Sequence, residues 1–476
     1  MAYTIEQKPN QLAGANSPMV FVLKESDSAI YNATKFRYIA QVYISTTDAS
    51  TWVEKAKIKI YKNSSNVGIV DVHKIVRSYL ETQEKNVGDV TADTISGSIH
   101  SIGITDTSNS YSQNTSQLVG VKLVGGYEKS TSATTAPSET LNQANEIIYS
   151  IPASTPYTDT GDEGGLDIDG TNSPLALYTP TGTSSKFLTN APTVQFVRGS
   201  STAADNVDEL TVAFIKDGLI TDPADLDRMY LIYYNSSGTP IAGTSGGLTS
   251  DYFTCDAASG GIGTADDVKN SLLYFGGGTA NLESQVDKSD LKPSNFANWS
   301  YYKIYGTTSG GVVKTDSYYF YRYGSGASVD DRHQSCTRFD NVRLAWRNRL
   351  GAWDYMNFRG KSIESVDIKR SESASVSGTW DSATFTYDNW DRGRNTLYTE
   401  ATRKLTINSD WLNPDEAVWL EELFTATNVQ ILGDSNVVYP VILTDKRYTK
   451  KTSVNNKVKI QYTINLEYAN KVRTNS

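Results

Sequence analysis

Alternation of apolar and polar residues with a period of two recurs along the chain and predicts many β-strands. Lys57 to Tyr61 (KIKIY) alternates in this way. Such alternation is typical of a strand that has one buried face and one face exposed to solvent. Val458 to Tyr468 alternates without a break. Serine, threonine, asparagine and glycine fill the spaces between apolar runs, as turns require. The pattern predicts a mainly β fold of several β-sandwich or barrel modules with a few short helices.

Other apolar runs predict further strands along the whole chain. They lie at Phe36 to Ile44, Val119 to Val124, Ile147 to Ile151, Val194 to Val197, Leu210 to Ile215, Met229 to Tyr234, Leu272 to Phe275, Tyr301 to Tyr305, Tyr318 to Tyr323, Arg338 to Trp346, Lys361 to Lys369, Arg403 to Asn408 and Val437 to Leu443.

Two stretches have helical spacing instead. Asp71 is a candidate N-cap for a short helix whose apolar residues recur from Val72 to Leu80. Asn413 precedes a proline at the first helical position, and Glu416 lies where a capping box requires an acid. We therefore expect one short helix near each end of the chain.

Three segments share an Ile-Tyr strand end followed by a polar turn. They are Ile60 to Asn66 (IYKNSSN), Ile232 to Gly238 (IYYNSSG) and Ile304 to Gly310 (IYGTTSG). Asparagine or glycine supplies the positive φ that a tight hairpin needs. Each segment is therefore predicted to be a hairpin, and both internal duplication and convergent turn chemistry explain the similarity.

The length and local composition predict three modules. A chain of 476 residues is too long for one compact core and should form two to four domains. Residues 1–83 are predicted to form a β module with one short helix. Residues 84–337, rich in serine, threonine and glycine, are predicted to be inserted β-rich domains with long loops. Residues 338–476 hold six of the eight tryptophans and are predicted to form a β module with one capped helix.

Charge disfavours a nucleic-acid binder, because phosphate binding needs clustered lysine and arginine and the net charge is -9. From residue 338 onwards, however, the chain has 20 Lys and Arg residues and 17 Asp and Glu residues, a small excess of positive charge. A solvated surface of mixed charge explains this excess, and docking of the C-terminal module on an acidic partner is the alternative. No secretory leader pattern and no run of apolar residues long enough for a membrane span is found.

Candidate catalytic and metal sites are weak. Cys336 and His333 lie too close in sequence to predict a nucleophile and base pair, and Cys255 has no partner at zinc spacing. The acidic segment 159–170 does not fit the register of a calcium loop. Asp354, with Asp388 and Asp391 near Trp390, would suit a glycosidase only if a cleft held them at a set separation. We predict no enzyme activity, no cofactor and no metal.

The segment from Trp346 to Phe358 predicts a hairpin that turns at Leu350-Gly351. Its large aromatic and arginine side chains are typical of residues that anchor protein interfaces. Core packing of a tryptophan-bearing hairpin explains the same pattern. The candidate interface residues are Trp346, Arg347, Arg349, Trp353, Tyr355 and Phe358.

The same segment resembles a W-x-N-x-x-G-x-x-D-x-x-x-F stretch in virion structural proteins of tailed bacteriophages, particularly phages of Bacteroidota. Here the pattern runs from Trp346 to Phe358 and follows Cys336-Thr337-Arg338-Phe339. The C-terminal portion from Trp419-Leu420 through Pro440 to Asp445 and on to the terminal alternating strand is also similar. So is the opening from Asn16 to Val22, followed by Phe36-Arg37-Tyr38. The resemblance covers the two ends and leaves the middle unassigned.

This resemblance implies a tail-associated, baseplate-like or head-to-tail component present in several copies. The expected partners are copies of the chain itself and other virion proteins, with no nucleic acid and no membrane. The expected location is the virion, after synthesis in the host cytoplasm. Two alternatives stay open, namely a carbohydrate-binding or host-adhesion protein that contacts a surface glycan, and a glycan-cleaving tail enzyme.

Overall fold

The architecture is that of a computed structural model of the whole chain. The structure describes residues 3–9, 12–45, 51–80, 99–101, 118–154, 187–199, 208–215, 228–241, 252–254, 272–283, 299–307, 310–313, 315–323, 339–390, 393–433, 437–449 and 460–475.

The chain forms two compact units. Unit 1 consists of Met1–Gln334 together with Arg347–Tyr355, and unit 2 consists of Ser335–Trp346 together with Met356–Ser476. Residues 347–355, which we assigned to the C-terminal module from sequence, therefore fold as part of unit 1. The chain passes from unit 1 to unit 2, returns for one hairpin turn, and enters unit 2 again.

The predicted mainly β fold with a few short helices is confirmed. The first sixteen strands, which lie entirely in unit 1, are β1 (Thr4–Gln7), β2 (Leu12–Gly14), β3 (Val20–Lys24), β4 (Thr34–Ser45), β5 (Val53–Ile60), β6 (Val67–Asp71), β7 (Val119–Ser130), β8 (Ser138–Ile151), β9 (Val194–Val197), β10 (Thr211–Ile215), β11 (Arg228–Asn235), β12 (Pro240–Ile241), β13 (Tyr252–Thr254), β14 (Leu272–Gly276), β15 (Trp299–Thr307) and β16 (Tyr318–Arg322).

The remaining strands are β17 (Val342–Arg347), β18 (Trp353–Phe358), β19 (Ile363–Ala374), β20 (Thr379–Trp380), β21 (Phe385–Thr386), β22 (Arg394–Asn408), β23 (Val429–Gly433), β24 (Val437–Leu443), β25 (Thr463–Tyr468) and β26 (Val472–Asn475). The α-helices of the described residues are α1 (Ser28–Tyr31), α2 (His73–Arg77), α3 (Thr279–Glu283) and α4 (Pro414–Thr425). None of these helices is long and apolar enough to span a membrane.

The first part of unit 1 contains two sheets around one core. A five-stranded sheet has the order β2-β8-β7-β4-β5, and a three-stranded sheet has the order β1-β3-β6. Phe21, Tyr38, Val42 and Leu123 are among the side chains that bury their apolar surface in this core. The five-stranded sheet draws strands from both sides of residue 83, where we placed a module boundary in sequence.

Helix α2 begins one residue later than the sequence pattern predicts. Its N-cap is Val72, which makes no side-chain capping bond, so the predicted cap at Asp71 is wrong. Asp71 still serves the helix start, since its Oδ1 accepts from the backbone N–H of His73 at 3.1 Å. It also accepts from the backbone N–H of Met19 at 3.0 Å, which ties β3 to the end of β6.

The second part of unit 1 is built on an aromatic sheet. Its order is β12-β11-β15-β16-β9, with β13 on β11, and a separate pair joins β10 to β14. Strand β15 is antiparallel to both β11 and β16, whereas β9 joins β16 in parallel. One face of this sheet is buried through Met229, Tyr302, Ile304 and Phe320.

The described part of unit 2 is built on one large sheet with helix α4, and β20 and β21 form a separate pair. The sheet has the order β18-β17-β23-β24-β25-β22-β19, and β26 also pairs with β22. The predicted capping box of α4 is confirmed, because Asn413 Oδ1 accepts from the N–H of Glu416 and the Glu416 carboxylate accepts from the N–H of Asn413, both at 2.7 Å. Strand β24 has the predicted bounds.

Candidate assembly surface

Three hairpins close with the same asparagine geometry. Asn63, Asn235 and Asn348 each accept, through Oδ1, the backbone N–H groups two and four residues ahead. The residue three positions ahead has a positive φ in each turn: 61° at Asn66, 74° at Gly238 and 83° at Gly351. This is the turn followed by a left-handed residue that favours a short hairpin loop. The first two are hairpins predicted from sequence, whereas the third, at Asn348, matches in geometry without the Ile-Tyr signature.

The candidate interface residues on this third hairpin lie inside the chain. Arg347, Trp353 and Tyr355 are buried in unit 1, and Arg349 is half-buried. The backbone oxygen of Arg349 accepts from the N–H of Ser154 at 2.7 Å. This placement matches the core-packing interpretation of the segment, and an intermolecular role for these side chains stays a prediction.

The other two candidate residues belong to unit 2. Trp346 is completely buried, and its ring lies 5.0 Å from that of Trp419 on helix α4, measured between centroids. Phe358 is also buried. These two aromatics therefore serve the core of unit 2 within one copy of the chain.

A buried polar cluster surrounds the turn at Asn348. Asp354 Oδ1 accepts from Thr189 Oγ1 at 2.6 Å and from Asn348 Nδ2 at 3.0 Å. His100 is fully buried, and its Nδ1 lies 2.8 Å from the hydroxyl of Tyr355. Its ring also packs edge-on against Trp353 at 4.7 Å. The cluster fixes the hairpin in unit 1.

A pocket that is partly open to solvent lies beside this cluster. Its walls include Phe187, Leu210 and Phe320, and Asp354 is the charged residue among them. Burial raises the pKa of the Tyr318 hydroxyl, with a smaller effect from Asp316 and Asp354, so the phenol is protonated at neutral pH. Asp354 Oδ1 accepts hydrogen bonds from Thr189 and Asn348 and so holds the hairpin in place, which is a structural role.

The second face of the aromatic sheet carries paired tyrosines. Tyr230 stacks on Tyr305, and Tyr234 on Tyr301, with ring centroids 5.0 and 4.9 Å apart and planes within 7° of parallel. Lys303 lies between these pairs, 4.3 Å from the ring centroid of Tyr305, and burial lowers its pKa. Because each of these rings covers its neighbour, the stacked pairs stabilise the sheet.

Several residues considered in the sequence lie outside the described residues. These are Cys255, Cys336, His333, Asp391 and the acidic segment 159–170. Asp354 is in unit 1 and Asp388 is in unit 2. Among the residues that the structure does describe, no group of three or more His, Cys, Asp and Glu is arranged to hold a metal ion.

An exposed arm extends the sheet of unit 2. The arm consists of β19 and the residues of β22 that face it, from Arg394 to Thr406. Every residue of β19 from Ile363 to Arg370 is exposed, which means that neither face of this strand is covered. Ion pairs such as Glu364 with Arg403 join its two strands. Exposed pairs of this kind stabilise a structure by about 0 to 1 kcal/mol each, so they do not replace a core.

The end of the arm, which we call the tip, comprises residues 375–390. Strands β20 and β21 form a two-residue ladder there, and Ser382 at the turn has a φ of 54°. Four aromatic side chains in the tip are strongly exposed, with 64% of Trp380, 48% of Phe385, 74% of Tyr387 and 76% of Trp390 accessible to solvent. Exposed apolar rings of this kind are typical of surfaces that bind other proteins, which makes the tip a candidate interaction surface.

Sequence reasoning counted these tryptophans but did not identify the tip. The available signal was the placement of Trp380 and Trp390 in a stretch rich in serine, threonine and aspartate, where apolar periodicity is absent. Large aromatics outside any periodic strand have no predicted core to enter.

No family model and no curated protein matches the chain. Among solved structures, trypsin-activated alpha-2-macroglobulin from Escherichia coli has 10% identity and a TM-score of 0.18, over 85% of this chain and 19% of that chain. A mutant of Salmonella alpha-2-macroglobulin has 10% identity and a TM-score of 0.18, and the match covers 99% of this chain and 30% of that chain. A 35 kDa C-terminal fragment of the major pilin of Streptococcus agalactiae has 10% identity and a TM-score of 0.14, and the match covers 70% of this chain and 96% of that chain. The chain spans less than a third of either macroglobulin, and TM-scores of this size carry no functional argument.

Proposed function

We propose that the chain is a structural protein that assembles with copies of itself and with other proteins through the arm and tip of unit 2. The observation that carries this proposal is the group of four exposed aromatics at the tip, on an arm whose strand β19 is exposed on both faces. Removing large aromatic surfaces from water is the main source of free energy in protein association. Because neither face of β19 is covered, a partner that packs on the arm would also stabilise it.

The proposed setting is the tail or head-to-tail assembly of a tailed phage. Support comes from the motif between Trp346 and Phe358, since each of its defining residues has a structural task. Asn348 and Gly351 close the turn, and Asp354 accepts a hydrogen bond from Asn348. A sequence pattern held by such requirements belongs to a scaffold that presents other surfaces for assembly.

The glycan-binding alternative has less support. Sugars bind to aromatic rings whose faces are free, whereas the paired tyrosines on β11 and β15 stack on one another. The glycan-cleaving alternative needs two carboxylates across a cleft, and Asp354 accepts two hydrogen bonds inside unit 1. Both alternatives stay predictions from the sequence.

The test removes the aromatic surface of the tip and measures incorporation into particles. Trp380→Ser combined with Trp390→Ser should leave the circular dichroism spectrum and melting temperature unchanged, because both side chains are exposed. We expect the double variant to be lost from purified phage particles, as detected by mass spectrometry, and to lose cross-links to its partners.

The matched control is Tyr61→Ser, which removes an aromatic ring that is 70% exposed in unit 1. It should be incorporated as the unaltered chain is. Absence of the unaltered chain from purified particles would refute the phage assignment. Normal incorporation of the double tip variant would refute the role of the tip.

A further inference from the structure

One face of the unit 2 sheet is covered only in part. Direct pairs across the strands place Trp346, Val429, Val441 and Tyr468 on the same face, which we call the inner face. Helix α4 packs on this face, as the contact between Trp346 and Trp419 shows. Leu344, Trp346, Ile464 and Leu466 on this face are buried.

The same face continues onto the arm. Leu466 pairs with Leu405, and Leu405 pairs with Glu364, so the alternate residues Val366 and Ile368 of β19 also belong to the inner face. Their side chains are 48% and 50% exposed.

Apolar side chains on the neighbouring strands extend this open area. Val472 of β26 pairs with Ala401, which itself pairs with Ile368, and Val472 is 55% exposed. Tyr439 of β24, on the same face as Val441, is 44% exposed. An apolar sheet face is stable when a second layer covers it. Helix α4 supplies that layer at one end of the sheet. The other end exposes the apolar side chains that a second layer would cover.

The charges beside Val366 and Ile368 indicate what the second layer is. Along the inner face, β19 reads Glu364, Val366, Ile368, Arg370, which is an acid, two apolar residues and a base. A second copy of this strand can be turned by 180° about its midpoint and laid against the first. Glu364 of one copy then faces Arg370 of the other, and Val366 faces Ile368. This is the self-complementarity that a two-fold contact between identical chains requires.

We propose that the inner faces of two arms pack on each other about a two-fold axis between Val366 and Ile368. This inference rests on the proposed assembly function and names a second copy of the chain as the occupant. In the contact, Glu364 of one copy faces Arg370 of the other, and Val366 faces Ile368. Arg370 makes no ion pair with any described residue of its own chain, so its guanidinium is available. Glu364, which already accepts from Arg403, has a second oxygen for the partner's Arg370.

The test uses two charge reversals and their mixture. Glu364→Arg places arginine against arginine in a pair of identical variants, and Arg370→Glu places glutamate against glutamate. Each variant alone should associate at least roughly tenfold more weakly than the unaltered chain, measured by sedimentation equilibrium, because like charges at an interface repel strongly. An equimolar mixture of the two variants should associate again, since both contacts then join opposite charges.

The double variant E364R/R370E is the second arm of the test. It restores opposite charges between copies without restoring the pair between Glu364 and Arg403 within a copy. Recovery of self-association in this variant supports a contact between copies, whereas continued loss shows that Glu364 acts only within its own arm. Circular dichroism should show that all three variants are folded.

Two results would overturn the inference. One is a chain that is monomeric at every concentration tested, and the other is an oligomer whose affinity neither reversal changes. In either case, incorporation of the chain into particles through its tip would leave the proposed function standing. Loss of that incorporation is measured separately on the variant with Trp380 and Trp390 replaced.

Discussion

At the scale of single residues, the three asparagine turns show how strongly a backbone requirement depends on its surroundings. Gly238 and Gly351 occupy the same turn position at φ values of 74° and 83°. A methyl group at Gly351 would lie 2.9 Å from Cγ of Pro152, whereas at Gly238 the nearest atom is Tyr301 Oη at 3.8 Å. The two positions separate the cost of a left-handed backbone from the cost of a steric clash.

We therefore expect Gly351→Ala to destabilise unit 1 more than Gly238→Ala does. The left-handed conformation alone costs an L-residue about 1 to 2 kcal/mol, which both variants incur. The clash with Pro152 adds to this cost only at Gly351. Thermal unfolding of the two variants provides the comparison, and equal losses of stability would mean that the Pro152 contact is absent.

Asp410 is a residue whose charge opposes folding. Burial raises the pKa of its carboxyl group, and the opposing effect of Arg359, whose Nη1 lies 4.0 Å from Oδ2, is smaller. A raised pKa in the folded state means that folding binds the proton more tightly, so stability falls as the pH rises from the unfolded to the folded pKa.

Asp410→Asn should accordingly stabilise unit 2 at pH 7 and have little effect at pH 3, where the unaltered carboxyl is protonated in both states. Melting temperatures of the variant and the unaltered chain at both pH values measure this difference. A gain that is the same at pH 3 and pH 7 would assign the effect to something other than the charge.

At the scale of elements, helix α4 depends on its capping box. Asn413→Ala removes the acceptor for the N–H of Glu416 and should lower the stability of unit 2 by about 1 kcal/mol. Asn413→Ser keeps an oxygen at this position and should cost much less. Denaturant unfolding of the two variants makes the comparison, and an equal loss in both would argue against the cap.

Elements with a local signal were predictable from the sequence. The capping box of α4 and the apolar run from Val437 to Leu443 identified a helix and a strand that the structure contains. Strand β22 was predicted only from Arg403 onwards, although it begins at Arg394. Its first residues lie on the exposed arm, where no buried face imposes an apolar alternation, so the periodicity that identifies strands was missing.

The site was harder to predict than the fold for a related reason. The hairpin between Trp346 and Phe358 was predicted as an interface because it is rich in aromatic residues. In the structure, however, its aromatic side chains Trp346, Trp353, Tyr355 and Phe358 are buried inside the chain. Sequence cannot distinguish an aromatic that enters a core from one that stays exposed when its three-dimensional neighbours, such as His100, are hundreds of residues away. The tip aromatics have the opposite fate with a similar composition.

At the scale of the whole molecule, the proposed pairing of arms predicts that only one unit responds to protein concentration. Association stabilises the folded state that takes part in it, by mass action. In calorimetry, we expect the transition that Asn413→Ala lowers to move to higher temperature as the chain is concentrated. The transition that Gly351→Ala lowers should not move. A shift of both transitions, or of neither, would contradict an association confined to unit 2.

The path of the chain through residues 347–355 has a consequence for how the protein is made. Because this hairpin turn belongs to unit 1, that unit lacks part of its interior until the ribosome has passed Tyr355. By then the first residues of unit 2, from Ser335 to Trp346, have already been synthesised. A fragment that stops at Gln334 would consequently leave His100 without Trp353 and Tyr355, so unit 1 can complete its interior only after the first residues of unit 2 have been synthesised.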